Sequence, residues 1–154
     1  MPNLLQSRSC VYRHTLEEVS CVDFDRLLTF MYPQDFMERE SWTSTEWSSI
    51  LAIATKLEIH TLRQVAIKRL SQVGSDVDRI VFGRLHNVKE WLGPAHLALC
   101  NRDQPLTVDE VLRLDKLTLH GIMVARESRY GHQLPGMTRK LTLDDIGKTF
   151  DDIV

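Results

Sequence analysis

His96 and Cys100 stand four residues apart, a spacing that would let one helical face present an imidazole and a thiolate to a single metal ion. A structural zinc site takes four such ligands, and no second His/Cys pair at metal-binding spacing completes the set. The competing reading makes Cys100 a small core residue and His96 a partly exposed one. The six histidines (His14, His60, His86, His96, His120 and His132) are scattered, and neither an HExxH helix nor a GxSxG elbow pairs a base with a nucleophile. Asp144 and Asp145, with Asp151 and Asp152, lack the glycine and ordered spacing of a calcium loop and read as helix N-terminal charge. Seven glycines never form GxGxxG or GxxxxGK, so the backbone cradle for a nucleotide's phosphates is missing. No catalytic, cofactor-binding or metal residue is assigned and no cofactor is expected. A small helical metal protein or enzyme using His96 and Cys100 is kept as the alternative from a different class.

Trp47 and Trp91 fall on the apolar phase of helical segments and read as core anchors, whereas Trp42 sits in a polar stretch where an exposed indole would suit a binding surface. The 154 residues, 43% hydrophobic and 26% charged, suffice for one globular domain with a small extension. Nineteen basic and 21 acidic residues are spread along the chain, so the net charge of -2 leaves no electrostatic footprint for nucleic acid or an anionic membrane. Three cysteines (Cys10, Cys21, Cys100) without CxxC spacing argue for free thiols, hence the cytoplasm or nucleus. No apolar run reaches the roughly 18 to 20 residues of a membrane span, and residues 1–14 lack a secretory h-region; they read as a frayed terminus.

The elements follow from spacing. Residues 16–22, LEEVSCV, are β-branched enough for a strand entering a helix capped by Asp23, in which Phe24, Leu27, Leu28 and Met31 share a face and Pro33 forces an end at Tyr32. After a polar loop, Thr43 or Ser44 caps a helix, with Glu46 three residues after Thr43 as capping-box partner, and Trp47, Ile50, Leu51, Ala54 and Leu57 form its stripe. Thr61 with Gln64 repeats the arrangement for a second helix striped by Leu62, Val65, Ala66, Leu70 and Val73, and the two form an antiparallel hairpin ended by Gly74. Ser75 or Asp76 caps a further helix with Val77, Ile80, Val81 and Leu85 on one face and Asp78, Arg79 and Arg84 on the polar one. Gly93 and Pro94 predict a kink or restart within VKEWLGPAHLALCNR. Thr107 and Glu110 box another helix, where Asp109 and Arg113 are spaced for an i,i+4 ion pair, and the next runs to about Tyr130 with Leu119, Ile122 and Met123 inward. From Gly131 a loop leads to a short tail helix marked by Thr142 and Asp145, expected to be peripheral.

DFDRLLTFMYP resembles the BTB/POZ segment that leads from a sheet strand through a helix ending in Leu-Tyr-Pro. EWSSILAIATKLEIHTLRQVAIKRL is similar to that family's closing hairpin, with its early tryptophan and Ala-Thr pair (Ala54, Thr55), and the segment from Asp78 to Arg129 resembles the helical region that follows it in many basidiomycete fungal proteins. The resemblance implies a mainly α fold: the C-terminal part of a BTB/POZ α/β domain, one short strand plus helices, followed by a small helical extension. The segments are then 1–15 N-terminal, 16–74 partial BTB/POZ-like domain, 75–130 helical extension, and 131–154 loop and tail helix. A complete family member would first supply further strands and dimer-forming helices, for which fifteen residues precede Leu16, so homodimerisation and cullin binding are not carried over. A strand without sheet neighbours leaves an exposed apolar patch around Phe24, Leu28 and Met31, to be covered by a partner, by self-association or by residues 4–12 folding back. The function implied is a non-enzymatic protein–protein interaction module, an adaptor or scaffold in ubiquitin-ligase recruitment or transcription regulation. Its protein-binding residues would be Phe36, Met37 and Trp42 with Phe24, Leu28 and Met31; its partner is another protein, with self-association open and neither nucleic acid nor membrane involved. A third reading is a fragment of a longer BTB protein without function of its own.

Overall fold

Four helices begin with the same local device, a capping box in which a Ser or Thr hydroxyl accepts the amide three residues on and that residue's carboxylate accepts the cap's own amide. Thr43 with Glu46 opens α2 (Ser44–Lys56), Ser75 with Asp78 opens α4 (Asp76–Leu85), Thr107 with Glu110 opens α6 (Val108–Arg113) and Thr142 with Asp145 opens α8 (Leu143–Gly147). The computed structural model describes residues 19–32, 42–130 and 140–150, which also hold α1 (Cys21–Met31), α3 (His60–Val73), a 3-10 turn (Lys89–Trp91), α5 (Leu92–Asn101) and α7 (Lys116–Tyr130). No strand occurs among the described residues.

The strand expected over 16–22 is therefore corrected where it can be seen. Ser20, not Asp23, is the N-cap, its hydroxyl accepting the Val22 amide at 3.2 Å, so Cys21 and Val22 form the first turn of α1. A hydroxyl cap is a local gain, whereas β-branched residues make a strand only when a neighbour pairs with them. Thr61 and Gln64 do not cap α3 either. The helix starts two residues earlier than that cap would place it, at His60, after a turn in which Glu58 takes a left-handed φ of 55°. Pro94 falls in the first turn of α5, where its missing N–H removes no helical bond, so the expected kink is a restart.

Two apolar clusters hold the chain together. In the first, Trp47, Ile50, Leu51 and Ile53 of α2 meet Ala66 and Leu70 of α3, with Leu27 of α1 on one side and Val88 and Trp91 on the other. Val65 and Val73, placed on the α3 stripe by spacing, are exposed. The second cluster joins Val77 and Ile80 of α4, Ala95, Leu99 and Cys100 of α5, Ile122 and Ala125 of α7, and Leu141, Ile146 and Phe150 around α8. The tail is thus part of a core, not peripheral. Phe150 lies against His96 at a ring distance of 4.3 Å and over Gly121, where a Cβ would come within 2.5 Å of the ring. Leu85 and Met123, read as inward-facing, point to solvent instead.

Polar ties join the clusters and close helix ends. Ser48 of α2 and His86, the C-cap of α4, are both buried and hydrogen-bonded at 2.9 Å, and Arg63 of α3 donates to the His86 carbonyl at 3.1 Å. Arg113 pairs with Asp78 across α6 and α4, not with Asp109 four residues before it. Burial raises the Asp78 carboxyl, but Arg113 and Ser75 outweigh it and hold the group below its ordinary range. The last carbonyls of α5 are met by arginines of α7: Arg126 donates to Leu99 at 2.6 Å and the buried Arg129 to Cys100 at 2.9 Å.

Candidate interaction surface

The helix that presents the candidate surface is α1, and Leu27 is its one buried residue. On that side Leu27 enters the first cluster and Phe30 packs edge-on to Trp47 at 5.8 Å and to Trp42 at 6.0 Å. Arg26 reinforces the seat by donating to the Ser49 hydroxyl of α2, with Asp23 3.7 Å away. The base of α2 is fixed in turn by its capping box, and the backbone and side-chain hydrogen bonds of Thr43 hold the Glu46 carboxyl below its usual range. One face of α1 is thereby fixed against α2, and the other is left outward.

That outward face is apolar. Phe24 is 36% exposed, Leu28 40% and Met31 56%, at the i, i+4, i+7 spacing of one helical ridge, with Val22 and Tyr32 exposed at its ends. Asp25, three residues before Leu28, makes no ion pair with any described residue, so the ridge is bordered by a carboxylate that no described cation neutralises. Trp42 is half-buried, 5.3 Å from Trp47, and does not stand free in its loop; it buttresses the α1 seat. Phe36 and Met37 lie outside the described residues.

Groups with chemical reactivity sit elsewhere and are enclosed. His96 is completely buried, not partly exposed, with Nδ1 donating to the Leu92 carbonyl at 2.7 Å. Cys100 is also fully buried, and that burial pushes its thiol up to about 11, which keeps it protonated and a poor metal ligand or nucleophile. No three His, Cys, Asp or Glu among the described residues are arranged to share a metal ion. Ser48 and His86 have the residue types of a nucleophile–base pair and were not singled out by sequence, because 38 positions separate them. Both are buried, and the charged group beside the imidazole is Arg63, not an orienting carboxylate; burial first and Arg63 second push the His86 ring below its ordinary range. The pair serves packing between α2 and α4.

Residues 3–73 match the family model of the BTB/POZ domain, a protein–protein interaction module. The match covers just under half of the chain and stops at Val73, the last residue of α3, immediately before the C-cap Gly74. It therefore takes in α1 and the hairpin, while the whole of the second cluster lies beyond it. No curated protein and no solved structure matches the chain. Among the described residues no helix is long and apolar enough to cross a membrane.

Proposed function

We propose that this chain is a non-enzymatic adaptor that binds another protein through the outward face of α1. The observation that carries the reading is an 11-residue helix with a single buried residue, its apolar ridge of Phe24, Leu28 and Met31 exposed within the segment that matches an interaction domain. Aromatic and methionine side chains on a seated helix are what the centre of a protein interface requires, since their desolvation supplies most of the binding free energy. Trp42 contributes by fixing the helix, and Phe36 and Met37 join the proposal as its neighbours in sequence. Cys21 and Cys100 are free thiols, which supports work in a reducing compartment, the cytosol or nucleus.

Recruitment to a ubiquitin ligase and assembly of transcription regulators are the two uses that fit such an adaptor. A photoreactive amino acid at position 28 or 31, activated in cells, separates them by the identity of the adducts. Discrete protein adducts at both positions are expected; none above the background set by the more exposed Leu85 on α4 would end the proposal.

A further inference from the structure

The second cluster carries a surface complementary to α1. A cleft of about 690 Å³ opens between the start of α7 and the turn after α8, floored by Leu117, Gly121 and Val124. Leu117 is 83% exposed and Val124 42%, so the floor is apolar and uncovered. His120 and Lys148 stand on its rim, and Lys148 makes no ion pair with any described residue. The acid at this rim, Asp115, is already committed: it accepts from the Thr118 amide at 2.9 Å and hydroxyl at 2.6 Å and pairs with Arg84. Among the described residues that line the cleft, an incoming carboxylate would therefore meet cationic side chains and no uncompensated negative charge.

We infer that the α1 ridge of one copy docks in this cleft of a second copy, head to tail. The inference rests on reading α1 as an interaction surface and names its partner. Phe24, Leu28 and Met31 supply the apolar ridge and Asp25 the carboxylate; Leu117 and Val124 supply the floor and Lys148 the cation. The pairing is complementary in both polarity and charge, whereas α1 against α1 would set Asp25 against itself. The ridge lies on α1 and the cleft on α7 and the turn after α8, so a single such contact is heterologous and leaves a free ridge and a free cleft to take further copies. A helix of 11 residues is about 16 Å long, so the interface is small and the association weak.

Sedimentation of the full chain over about 1 µM to 1 mM tests this, with Leu28→Arg to spoil the ridge and Val124→Arg to spoil the cleft, both at exposed positions that folding tolerates. The wild type is expected to grow in mass with concentration without stopping at a dimer. Each variant alone should weaken by about tenfold or more, and an equal mixture should form a one-to-one pair, because each variant retains the patch the other lacks. The charge swap Asp25→Lys with Lys148→Asp in one chain should restore association. A closed dimer lost in Leu28→Arg but unaffected by Val124→Arg would overturn the cleft as the partner site and leave α1 as an interaction surface. A wild type that stays monomeric throughout would overturn self-docking, with α1 adducts to other proteins still able to support the adaptor reading. Association unaffected by either substitution would overturn the ridge and the cleft as the surfaces that join two copies.

Discussion

Replacing Gly121 by alanine should destabilise this chain, although in the interior of a helix the change is ordinarily favourable by about 1 kcal/mol. Position 121 lies within the 15-residue α7, and an added methyl would come 2.5 and 2.8 Å from two ring atoms of Phe150. The ring has little room to retreat, because it is buried and faces the His96 imidazole at 4.3 Å. Overpacking of this kind costs about 1 to 3 kcal/mol, which outweighs the helical gain and leaves a net loss of up to about 2 kcal/mol. Phe150→Ala alone removes a buried ring and should cost about 3 kcal/mol or more. In that background the obstruction is gone, so Gly121→Ala should turn stabilising by about 0.5 to 1 kcal/mol. The coupling between the two sites is then about 1 to 3 kcal/mol, readable from urea unfolding of the four proteins at constant m-value. An equal gain from Gly121→Ala with and without the ring would refute the packing of the tail on α7.

Burial and Arg63 lower the pKa of His86, so the unfolded chain binds a proton near the ordinary value of 6.5 while the folded chain does not. Stability that is complete above 6.5 should decline as the pH falls through that value toward the lowered folded one, and His86→Asn should flatten the decline in a pH series of urea midpoints. Arg129→Ala leaves the Cys100 carbonyl buried without its donor and should cost about 2 to 4 kcal/mol, measured by thermal unfolding. Glu58→Gly relieves a left-handed backbone at φ 55° and should raise stability by about 0.5 to 1 kcal/mol after the entropy of glycine is subtracted; a loss would show that the turn carries no strain.

What could be read in the sequence was local. Two capping boxes, at Thr43 and Thr107, were legible because donor and acceptor stand three residues apart, the Ser75 cap was legible without its partner, and Thr142 with Asp145 only as the mark of a helix. Trp47 and Trp91 were legible as core anchors because their stripes are unambiguous. Leu85, Met123, Val65 and Val73 were not, since their helices are apolar on more than one side and only tertiary contacts decide which side is buried. The tail was misjudged for the same reason. Ile146 and Phe150 look like a short amphipathic ending until Gly121 and His96, distant in sequence, are seen to receive the ring. Arg113 was drawn to Asp78 because that carboxylate is half-enclosed by its own capping box, a geometry spacing cannot reveal. At the α1 surface, residue types named the ridge, but the roles of Trp42 and Arg26 in seating it depend on α2.

The most direct test of α1 as the surface through which one copy of this chain docks on a second is the solution mass of the wild type and of Leu28→Arg, compared over a dilution series. The account predicts that the wild type exceeds its 17.8 kDa chain mass as concentration rises while Leu28→Arg remains at it. Identical mass curves for the two proteins, whether monomeric or associated, would contradict it.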